Sequence, residues 1–453
     1  MKPRRMSQVA RAVDGLHTGA DAEVSSVVTD SRAAGPGALF VALPGEHTDG
    51  GLFVPEAFDN GAAGALLRDG LSATAPAEFV RSPGDAFLQL AADERRTMSA
   101  RVVGITGANG KTSTKDMAAA VCAMRLRTHA SPESFNNEVG LPVTLLGAAA
   151  DAEIVVAEMG ARRKGDVTLL CEIARPDIVV VTNVGVAHLE IFGSWEAIVE
   201  ASAEPVDAIA PDGIAVLNAD DPVVAGFAGR SAGRVVTFGT TPNADVRAED
   251  VTLDPDGLAS FTLVHGQDRV AVRLAVAGAH MVSNALAAAA VGLQVGVSLQ
   301  DAAIALADAR VSHWRMETFT TAEGVRVVND AYNANPESVT AALKTARWMA
   351  GDARLIAVLG TMAELGPITD EAHEHVGELA ARLRVDRLIT VGGAASAIVT
   401  AGIREGVEPT QAAAYDDPAD ALADIREHAR PGDVVLFKAS RVAGLEALAE
   451  ALR

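Results

Sequence analysis

Cysteine is scarce in this chain, which has only Cys122 and Cys171 among its 453 residues. Two widely spaced thiols cannot form a disulfide framework or a cysteine-rich zinc site, so we expect both to be buried and reduced. Long apolar runs are missing as well, since no stretch reaches the roughly 18 uncharged apolar residues of a membrane-spanning helix. The first residues, MKPRRMSQVARAVDG, lack the apolar segment of a signal peptide. We therefore expect a cytoplasmic protein that does not insert into a membrane.

Positive charge is in short supply too. The chain has 38 Lys and Arg residues against 59 Asp and Glu residues, and its formal net charge is -21. Such a surface repels the phosphate backbone of DNA and RNA, so a nucleic-acid partner is not expected. An anionic small molecule must instead meet a local group of positive charges.

The length and the alternation of apolar runs predict an α/β chain with about three domains, at roughly 150 residues per domain. Short apolar runs separated by Gly and Pro extend from Val41 to about Arg81 and indicate a small N-terminal α/β domain. The charged helical segment LQLAADERRTMSA follows these runs. We place the first boundary there, which gives a domain of residues 1–98.

Two further domains are predicted from repeated strand and helix patterns. The apolar runs RVVGIT, EIVVAEM, DIVVVTNV and GIAVLNA alternate with helical patterns, as in a parallel sheet covered on both faces. A β-rich section with the turn signal DPDG and the buried helix NALAAAAVGLQVG complete a central P-loop ATPase-like domain of residues 99–313. After SHWRMETF the alternation resumes in VRVVND, RLIAVLG, RLITVG and DVVLFKAS. This pattern predicts a C-terminal Rossmann-like domain of residues 314–453.

A glycine-rich loop follows the first strand of the central domain. The segment GITGANGKTSTKDM ends an apolar run and becomes helical at Lys111. Backbone N–H groups would surround an anion there, the Lys111 ammonium would hold outer phosphates, and the Thr112 hydroxyl would offer a ligand to Mg²⁺. The spacing departs from GxxxxGK[ST], because Ile105 stands where the first glycine belongs. The alternative is a glycine-rich turn that only caps a helix.

Polar residues at the ends of later strands could join this loop. Glu158 follows the apolar run EIVVA and suits a Mg²⁺ ligand, although a polar residue can also simply end a strand. His188 follows the next strand, in a loop that also contains Asn183 and Glu190. An isolated loop histidine is often a surface residue rather than a ligand. Its place at the same predicted sheet edge favours a functional role.

Two more segments could complete a nucleotide site. His280 and Asn284 stand at the start of an apolar helix in GAHMVSNALAAAA, where helix capping is the alternative role. Arg315 and Asp330 open the third domain in WRMETF and VVNDAYNANPESV. Arginine suits phosphate and aspartate suits ribose hydroxyls. The residues alone thus predict an enzyme that depends on ATP and Mg²⁺, with its site between domains.

The motifs of all three domains, taken in order, resemble those of the Mur ligase family. The matching segments are TDSRAAGPGALFVALPGEHTDG, TGANGKTSTKD, SFNNEVGLPVTLL, EMGAR, TNVGVAHLEIFGS, LNADDP, NDAYNANPESV, LGTMAELG and KASR. The last three are most similar to the branch that joins D-alanyl-D-alanine to a UDP-N-acetylmuramoyl-tripeptide in peptidoglycan precursor synthesis. The resemblance implies an ATP-dependent amide ligase with an acyl-phosphate intermediate, acting as a monomer on these small-molecule substrates.

The resemblance also implies roles for individual residues. The catalytic set is Lys111, Glu158 and His188, and the Mg²⁺ ligands are Thr112, Glu158 and His188. The ATP-binding set is Thr106, Gly107, Asn109, Gly110, Lys111, Thr112, Ser113, Asn284, Arg315, Asp330 and Asn333. The substrate-binding set is Ser31 and Arg32 at the uridine end, with Asn136 and Asn137 on the substrate side of the cleft.

One position departs from the family pattern. The family has a carbamylated lysine fourteen residues after its metal-binding histidine, and the count from His188 reaches Ser202. A serine hydroxyl is neutral and a weaker ligand than a carbamate. Either Glu200 or Glu204 replaces the lysine, or the second metal is held weakly, or the acid or amine substrate differs. An amide ligase of specialised metabolism and a non-catalytic ATP-binding homologue therefore stand as alternatives.

Overall fold

The computed structural model describes residues 1–45, 48–68, 79–82 and 85–453. Glu46 and His47, in the matching segment TDSRAAGPGALFVALPGEHTDG, lie outside the described residues, as do Asp69 and Gly70 of the first predicted domain. The chain is α/β, as predicted, with separate sheets in its first, middle and last parts. Among the described residues, no helix combines the length and the apolar character needed to span a membrane.

The first part of the chain forms a small, mostly parallel sheet in the order β2-β7-β6-β5-β4, with β1 paired to β3 beside it. Its strands are β1 (Arg4–Arg5), β2 (Leu16–Thr18), β3 (Glu23–Val24), β4 (Ser26–Val28), β5 (Ala38–Val41), β6 (Gly64–Arg68) and β7 (Phe79–Ser82). Its helices are α1 (Met6–Ala12), α2 (Val54–Asp59) and α3 (Ala86–Thr97). Alternate residues of β5 enter different apolar clusters, Leu39 on one face and Phe40 on the other.

The middle part forms a sheet in the order β16-β15-β14-β13-β12-β11-β8-β10-β9. The strands are β8 (Arg101–Thr106), β9 (Thr128–Ala130), β10 (Ile154–Glu158), β11 (Ile178–Val181), β12 (Ile214–Asn218), β13 (Arg234–Gly239), β14 (Val246–Leu253), β15 (Leu258–His265) and β16 (Asp268–Ala277). The pairings are parallel from β9 to β14, and β14, β15 and β16 then pair antiparallel. The predicted turn at DPDG is therefore confirmed as the connection of β14 to β15.

The helices of the middle part cover both faces of this sheet. They are α4 (Lys111–Ala123), α5 (Gly140–Gly147), α6 (Asp166–Ala174), α7 (Leu189–Phe192), α8 (Trp195–Asp207), α9 (Pro222–Gly226), α10 (Met281–Gln294) and α11 (Leu299–Asp308). Helix α10 is buried along nearly its whole length, as its alanine-rich sequence predicts. Residues on the two sides of β11, such as Val179 and Val180, enter different apolar clusters, which explains why this strand is a continuous apolar run.

The last part forms a sheet in the order β17-β18-β22-β19-β20-β21. The strands are β17 (Glu317–Thr320), β18 (Arg326–Asn329), β19 (Leu355–Gly360), β20 (Arg387–Val391), β21 (Ala412–Tyr415) and β22 (Val434–Lys438). The helices are α12 (Pro336–Ala350), α13 (Thr369–Arg382), α14 (Ser396–Arg404), α15 (Pro418–His428) and α16 (Glu446–Glu450). β17 pairs antiparallel with β18 and the other pairings are parallel.

The three parts pack against one another through shared apolar clusters. One cluster joins the first sheet to α5 and α6, with Leu66 and Leu145 among its members. Another joins α10 to the last sheet and contains Leu286 and Leu436. The domain limits stay predictions, and residues 98 and 313 lie after α3 and between α11 and β17, respectively.

Strand register places the predicted site at one edge of the middle sheet. Glu158 pairs in register with Ile105, and Val181 pairs with Thr106. The carboxyl ends of β8, β10 and β11 therefore meet at the same edge, which is where ligands bind in open α/β sheets.

Candidate active site

The glycine-rich loop runs from the end of β8 at Thr106 to the start of α4 at Lys111. Gly107 and Gly110 have φ values of +133° and +82°, a backbone conformation that is costly for other residues. A Cβ atom at Gly107 would overlap the Thr182 hydroxyl, and one at Gly110 would overlap the Asn284 amide. These two glycines are therefore required both for the turn and for the close approach of its neighbours.

Two residues that follow β11 hold this loop in place. The Asn109 N–H donates to Asn183 Oδ1 at 2.8 Å, and Asn183 Nδ2 donates to the Asn109 carbonyl at 3.0 Å. The Thr182 hydroxyl donates to the same carbonyl at 2.7 Å. This supporting role of Thr182 and Asn183 was not predicted from the sequence. Its only signal was their position at the end of a strand beside the loop.

Lys111 lies within the loop that precedes it. Its ammonium donates to the carbonyls of Gly107 at 2.6 Å and Ala108 at 3.3 Å. Burial lowers the pKa of Lys111, while the Glu158 carboxylate opposes this shift and Arg315 adds to it. The Lys111 ammonium therefore lies in the electrostatic field of both the carboxylate and the guanidinium.

Glu158 ends β10 and its residue surface is only 1% exposed. One carboxylate oxygen, Oε1, accepts a hydrogen bond from Asn136 Nδ2 at 2.8 Å. The other oxygen, Oε2, is buried and has no hydrogen-bond partner in the part of the chain that the structure describes. A buried, unpartnered carboxylate oxygen is costly unless a ligand completes it.

Arg315 reaches the loop from the last part of the chain. Its Nη2 donates to the Thr112 hydroxyl at 2.8 Å and to the Ser134 hydroxyl at 3.3 Å. The guanidinium lies over the Tyr332 ring at 4.0 Å from the ring centre, so stacking fixes its plane. Ser113, the next residue of α4, is buried in the first helical turn. Arg315, a predicted phosphate ligand, thus contacts Thr112, a predicted Mg²⁺ ligand that follows Lys111 in α4.

Asp330 directly follows β18 and forms an ion pair with the buried Lys438. Lys438 Nζ lies 2.7 Å from Asp330 Oδ2 and also donates to the Asn333 carbonyl at 2.7 Å. Burial lowers the pKa of Lys438, and Asp330 opposes the shift. Asp330 Oδ1 accepts from the Met316 N–H at 3.0 Å. This pair was not predicted from the sequence, where the lysine that ends the apolar run of DVVLFKAS was its only signal.

Two asparagines contact the glycine-rich loop, Asn335 from the last part of the chain and Asn284 from the middle part. Asn335 Nδ2 donates to Asn109 Oδ1 at 2.9 Å, and Asn335 also caps α12 by accepting from the Ser338 N–H. Asn284 is buried in α10, where its Nδ2 contacts Met281 Sδ at 3.4 Å. The Asn284 amide therefore packs directly beside Gly110 on one side of the loop.

His188 precedes α7 and adopts the left-handed backbone conformation, with φ +58°. Its Nδ1 is hydrogen-bonded to the carboxylate of Glu364, which follows β19 in the last part of the chain. Burial lowers the pKa of His188, while the hydrogen bond to Glu364 opposes the shift. The Glu190 N–H donates to the Glu364 carbonyl at 3.1 Å, so two loops from different domains meet here.

Ser202, fourteen residues after His188, lies beside the predicted catalytic residues Lys111 and His188. It lines a cavity of about 40 Å³ together with Ala108, Lys111 and His188. The Ser202 hydroxyl donates to the Ile198 carbonyl of its own helix at 2.8 Å. A residue at position 202 therefore faces the space between the loop and His188.

Neither acidic neighbour of Ser202 replaces the missing lysine. The Glu204 oxygens accept from the N–H groups of Gly165 at 2.6 Å and Thr168 at 2.9 Å. Glu200 pairs with Arg230 at 2.9 Å on the exposed side. These contacts therefore leave neither carboxylate free to substitute for the lysine, which was one of the three alternatives left open by the sequence. Helix α8 also continues through Pro205.

The predicted substrate residues lie in different surroundings. The Ser31 hydroxyl donates to Glu56 Oε2 at 2.6 Å, and Arg32 pairs with Asp30 at 2.7 Å. Both partners belong to the first part of the chain. Asn137 Oδ1 accepts from the backbone at the start of α5, whereas Asn136 contacts Glu158. Of this set, only Asn136 contacts the catalytic residues directly.

Models of Mur ligase domains match most of the chain. The Mur ligase middle domain matches residues 105–292, the Mur ligase glutamate ligase domain matches residues 314–441, and the Mur ligase family catalytic domain matches residues 23–86. The chain belongs to the Mur ligase family. The predicted resemblance is thus confirmed, and the site described above lies within the segments that match the middle domain and the glutamate ligase domain.

Individual Mur ligases match over nearly their whole length. The chain is similar to UDP-N-acetylmuramoyl-tripeptide–D-alanyl-D-alanine ligases of Mycobacterium leprae (41% identity, 94% of this chain and 92% of the relative) and Bacillus subtilis (34% identity, 100% and 99%). It is also similar to the crystal structure of MurF from Acinetobacter baumannii, with a TM-score of 0.88, 30% identity, and coverage of 100% and 99%. MurF from Thermotoga maritima in complex with ADP matches with a TM-score of 0.81, 29% identity, and coverage of 95% and 97%. These matches confirm the three-domain Mur ligase architecture.

Proposed function

We propose that this Mur ligase joins D-alanyl-D-alanine to a UDP-N-acetylmuramoyl-tripeptide at the expense of ATP, as a step of peptidoglycan precursor synthesis. Relatives named for this activity match almost the entire chain. The observation that carries the proposal is the convergence of Lys111, Thr112 and Arg315 beside the unpartnered Glu158 carboxylate.

The proposed reaction has two steps. The terminal carboxylate of the nucleotide-linked peptide attacks the γ-phosphorus of ATP, which forms an acyl phosphate and releases ADP. The amine of D-alanyl-D-alanine then attacks the acyl carbon, and the tetrahedral intermediate collapses to an amide and inorganic phosphate. Such chemistry asks the protein mainly to position reactants and to neutralise anionic oxygens.

The nucleotide loop suits the first step. The N–H groups at the start of α4 and the Lys111 ammonium would hold the outer phosphates once Lys111 leaves the carbonyls of Gly107 and Ala108. Arg315 would add charge from the other side, with its plane fixed by Tyr332. Thr106, Gly107, Asn109, Gly110 and Ser113 shape the same loop. Asn284 would contact adenine and Asp330 the ribose, with Asn333 beside them.

The donor set fits Mg²⁺. Glu158 Oε2 is a buried oxygen without a partner among the described residues, and the Thr112 hydroxyl is close to the phosphate ligands. Mg²⁺ prefers a few protein oxygens together with phosphate oxygens. Glu158 and Thr112 would hold one ion and His188 a second, and the metal would supply charge neutralisation at the transferred phosphoryl group.

The remaining assignments concern the substrates. Ser31 and Arg32 would meet the uridine end, and Asn137 would lie on the peptide side. Asn136 would act through Glu158, since its amide already holds that carboxylate. The monomeric state and the cytoplasmic location are part of the same proposal, as is the closure of the domains around both substrates.

Release of ADP from the purified protein tests the proposed function. We expect release that requires both UDP-N-acetylmuramoyl-tripeptide and D-alanyl-D-alanine, with neither substrate sufficient alone. A Lys111→Ala variant that retains the folded structure serves as the control for background ATP hydrolysis. Absence of ADP release with the full pair, at saturating ATP and Mg²⁺, would overturn the proposal.

A second candidate is an amide ligase with a different acid or amine substrate, and Ser202 is the observation that favours it. Screening of carboxylates and amines for ATP turnover distinguishes the two candidates. A pair that supports faster turnover than the peptidoglycan precursors would favour the second. ATP binding without turnover for every pair would instead favour a non-catalytic homologue, against the intact set of Lys111, Glu158 and His188.

A further inference from the structure

The loop that carries His188 meets the loop after β19 through both side-chain and backbone contacts. His188 Nδ1 is hydrogen-bonded to the Glu364 carboxylate, and the Glu190 N–H donates to the Glu364 carbonyl at 3.1 Å. His188 and Glu364 both have positive φ values, +58° and +61°. Non-glycine residues adopt this conformation rarely. Two unusual backbone turns thus bring one imidazole and one carboxylate together across a domain boundary.

The hydrogen bond to Glu364 determines which ring nitrogen of His188 is free. A carboxylate accepts hydrogen bonds, so a neutral imidazole paired with it carries its proton on Nδ1 and leaves the lone pair on Nε2. Nε2 has no hydrogen-bond partner among the residues that the structure describes. His188 also lines the cavity that Lys111 and Ser202 share. The free nitrogen therefore belongs to a residue that lines this cavity and that is proposed to hold the second Mg²⁺ ion.

No acidic side chain lines this cavity among the residues that the structure describes. Its described lining contains no carboxylate, and position 202 contributes a neutral hydroxyl that is already bonded to the Ile198 carbonyl. Glu204 is bonded to the start of α6, and Glu200 is paired with Arg230. Glu364 is the carboxylate in direct contact with His188, and it comes from the last domain.

We propose that Glu364 is a positioning residue for cation binding at His188. It holds the imidazole with its proton on Nδ1, so that Nε2 is presented to a divalent cation when the last domain packs against the His188 loop. A carboxylate that accepts the second N–H of a metal-binding histidine fixes the ring and raises its basicity. The inference rests on the proposed function, and it makes cation affinity at His188 depend on domain closure.

Binding of Mn²⁺ to the full-length protein, followed by electron paramagnetic resonance with a non-hydrolysable ATP analogue, tests this role. We expect Glu364→Ala to weaken the His188 site by about 10- to 100-fold. Glu364→Gln should lose less, because an amide oxygen still accepts the Nδ1–H bond. Glu337→Gln is the matched control, since Glu337 belongs to the same domain and accepts from the Val186 N–H of the same loop at 3.4 Å without touching the imidazole. It should bind Mn²⁺ as the parent protein does.

The tautomer of His188 gives a second readout that a merely structural role would not change. In ¹⁵N-histidine NMR spectra, with His188 assigned by a His188→Gln variant, we expect the Nδ1–H form in the parent protein and in Glu364→Gln. Glu364→Ala should show a mixture of tautomers.

Unchanged Mn²⁺ affinity and tautomer in Glu364→Ala would overturn the proposal. Equal losses of affinity in Glu364→Gln and Glu364→Ala, with Nδ1–H retained in both, would make Glu364 a direct ligand and overturn it too. Neither readout needs the peptide substrates, so failure of the ligase assay is a separate result.

Discussion

At the scale of single residues, Glu158 Oε2 and Arg315 Nε are buried polar atoms near the glycine-rich loop that lack partners among the described residues. Leaving a buried polar group unsatisfied costs about 1–3 kcal/mol, and more when the group is charged. Native proteins rarely retain such groups without a reason. In the proposed function, a cation would bind Glu158 Oε2 and a phosphate oxygen of the nucleotide would accept a hydrogen bond from Arg315 Nε. One nucleotide with its cation would thus satisfy both atoms, which come from different domains.

Glu158→Gln is the first prediction at this scale. The substitution keeps an oxygen for the Asn136 amide but removes the negative charge from the proposed Mg²⁺ site. We expect the rate of ADP release at saturating substrates to fall by about 10²- to 10³-fold. The midpoint of thermal unfolding should stay the same or rise, because a buried charge is lost. Asn136→Ala, which acts only through Glu158, should lose about 10- to 100-fold. Full activity in Glu158→Gln would exclude this carboxylate as a metal ligand.

Ser202→Lys tests the most unusual residue of the site. Position 202 lines the cavity beside Lys111 and His188, so a lysine amine there could form a carbamate and supply an anionic oxygen. We expect faster ADP release and a new dependence on bicarbonate concentration. Ser202→Met, of similar length but without the amine, is the control and should show no bicarbonate effect. A rate that Ser202→Lys leaves unchanged would mean that another residue already performs the role.

At the scale of elements, apolar runs predicted the long parallel strands well. RVVGIT, EIVVAEM and DVVLFKAS correspond to β8, β10 and β22, because strands buried on both faces are apolar at every position. β1, β3 and β9 were not predicted. Strands of two or three residues carry no detectable period, and β9 (Thr128–Ala130) is formed only because β10 offers it a parallel edge.

Glu204→Gln is a prediction about an element rather than about the reaction. Both carboxylate oxygens of Glu204 accept from N–H groups at the start of α6, at Gly165 and Thr168. A negative charge is also favourable at a helix N-terminus. We expect the variant to lose about 1–3 kcal/mol of stability, seen as a lower midpoint in thermal unfolding. Glu200→Gln, which disrupts only the exposed pair with Arg230, should leave the midpoint nearly unchanged. Equal midpoints for the two variants would contradict the assignment.

At the scale of the whole molecule, side chains of the middle and last parts of the chain contact one another at the glycine-rich loop and at the loop that carries His188. The pairs are Arg315 with Thr112, Asn335 with Asn109, and Glu364 with His188. Sequence patterns predicted that both domains contribute to the site, because strand ends carry polar residues in each. The pairings themselves could not be predicted, since partners up to 226 residues apart meet only after both domains have folded and packed.

Asn335 combines two roles that substitution can separate. Its Oδ1 caps α12 by accepting from the Ser338 N–H, and its Nδ2 donates to Asn109 Oδ1 in the nucleotide loop. Serine also caps helices well, but its side chain is too short to make the cross-domain bond as well. Alanine can make neither contact. The pair Asn335→Ser and Asn335→Ala therefore distinguishes the stability of one helix from the closure of the whole molecule.

We expect both variants to bind a non-hydrolysable ATP analogue about two- to tenfold more weakly, as loss of one hydrogen bond across the domains predicts. Only Asn335→Ala should also lose about 1 kcal/mol of stability, because it alone removes the helix cap. Calorimetric titration and thermal unfolding measure the two effects on the same samples. Parent-like affinity in Asn335→Ser, with weakened binding confined to Asn335→Ala, would show that nucleotide affinity follows the integrity of α12. The contact between Asn335 and Asn109 would then contribute nothing to domain closure.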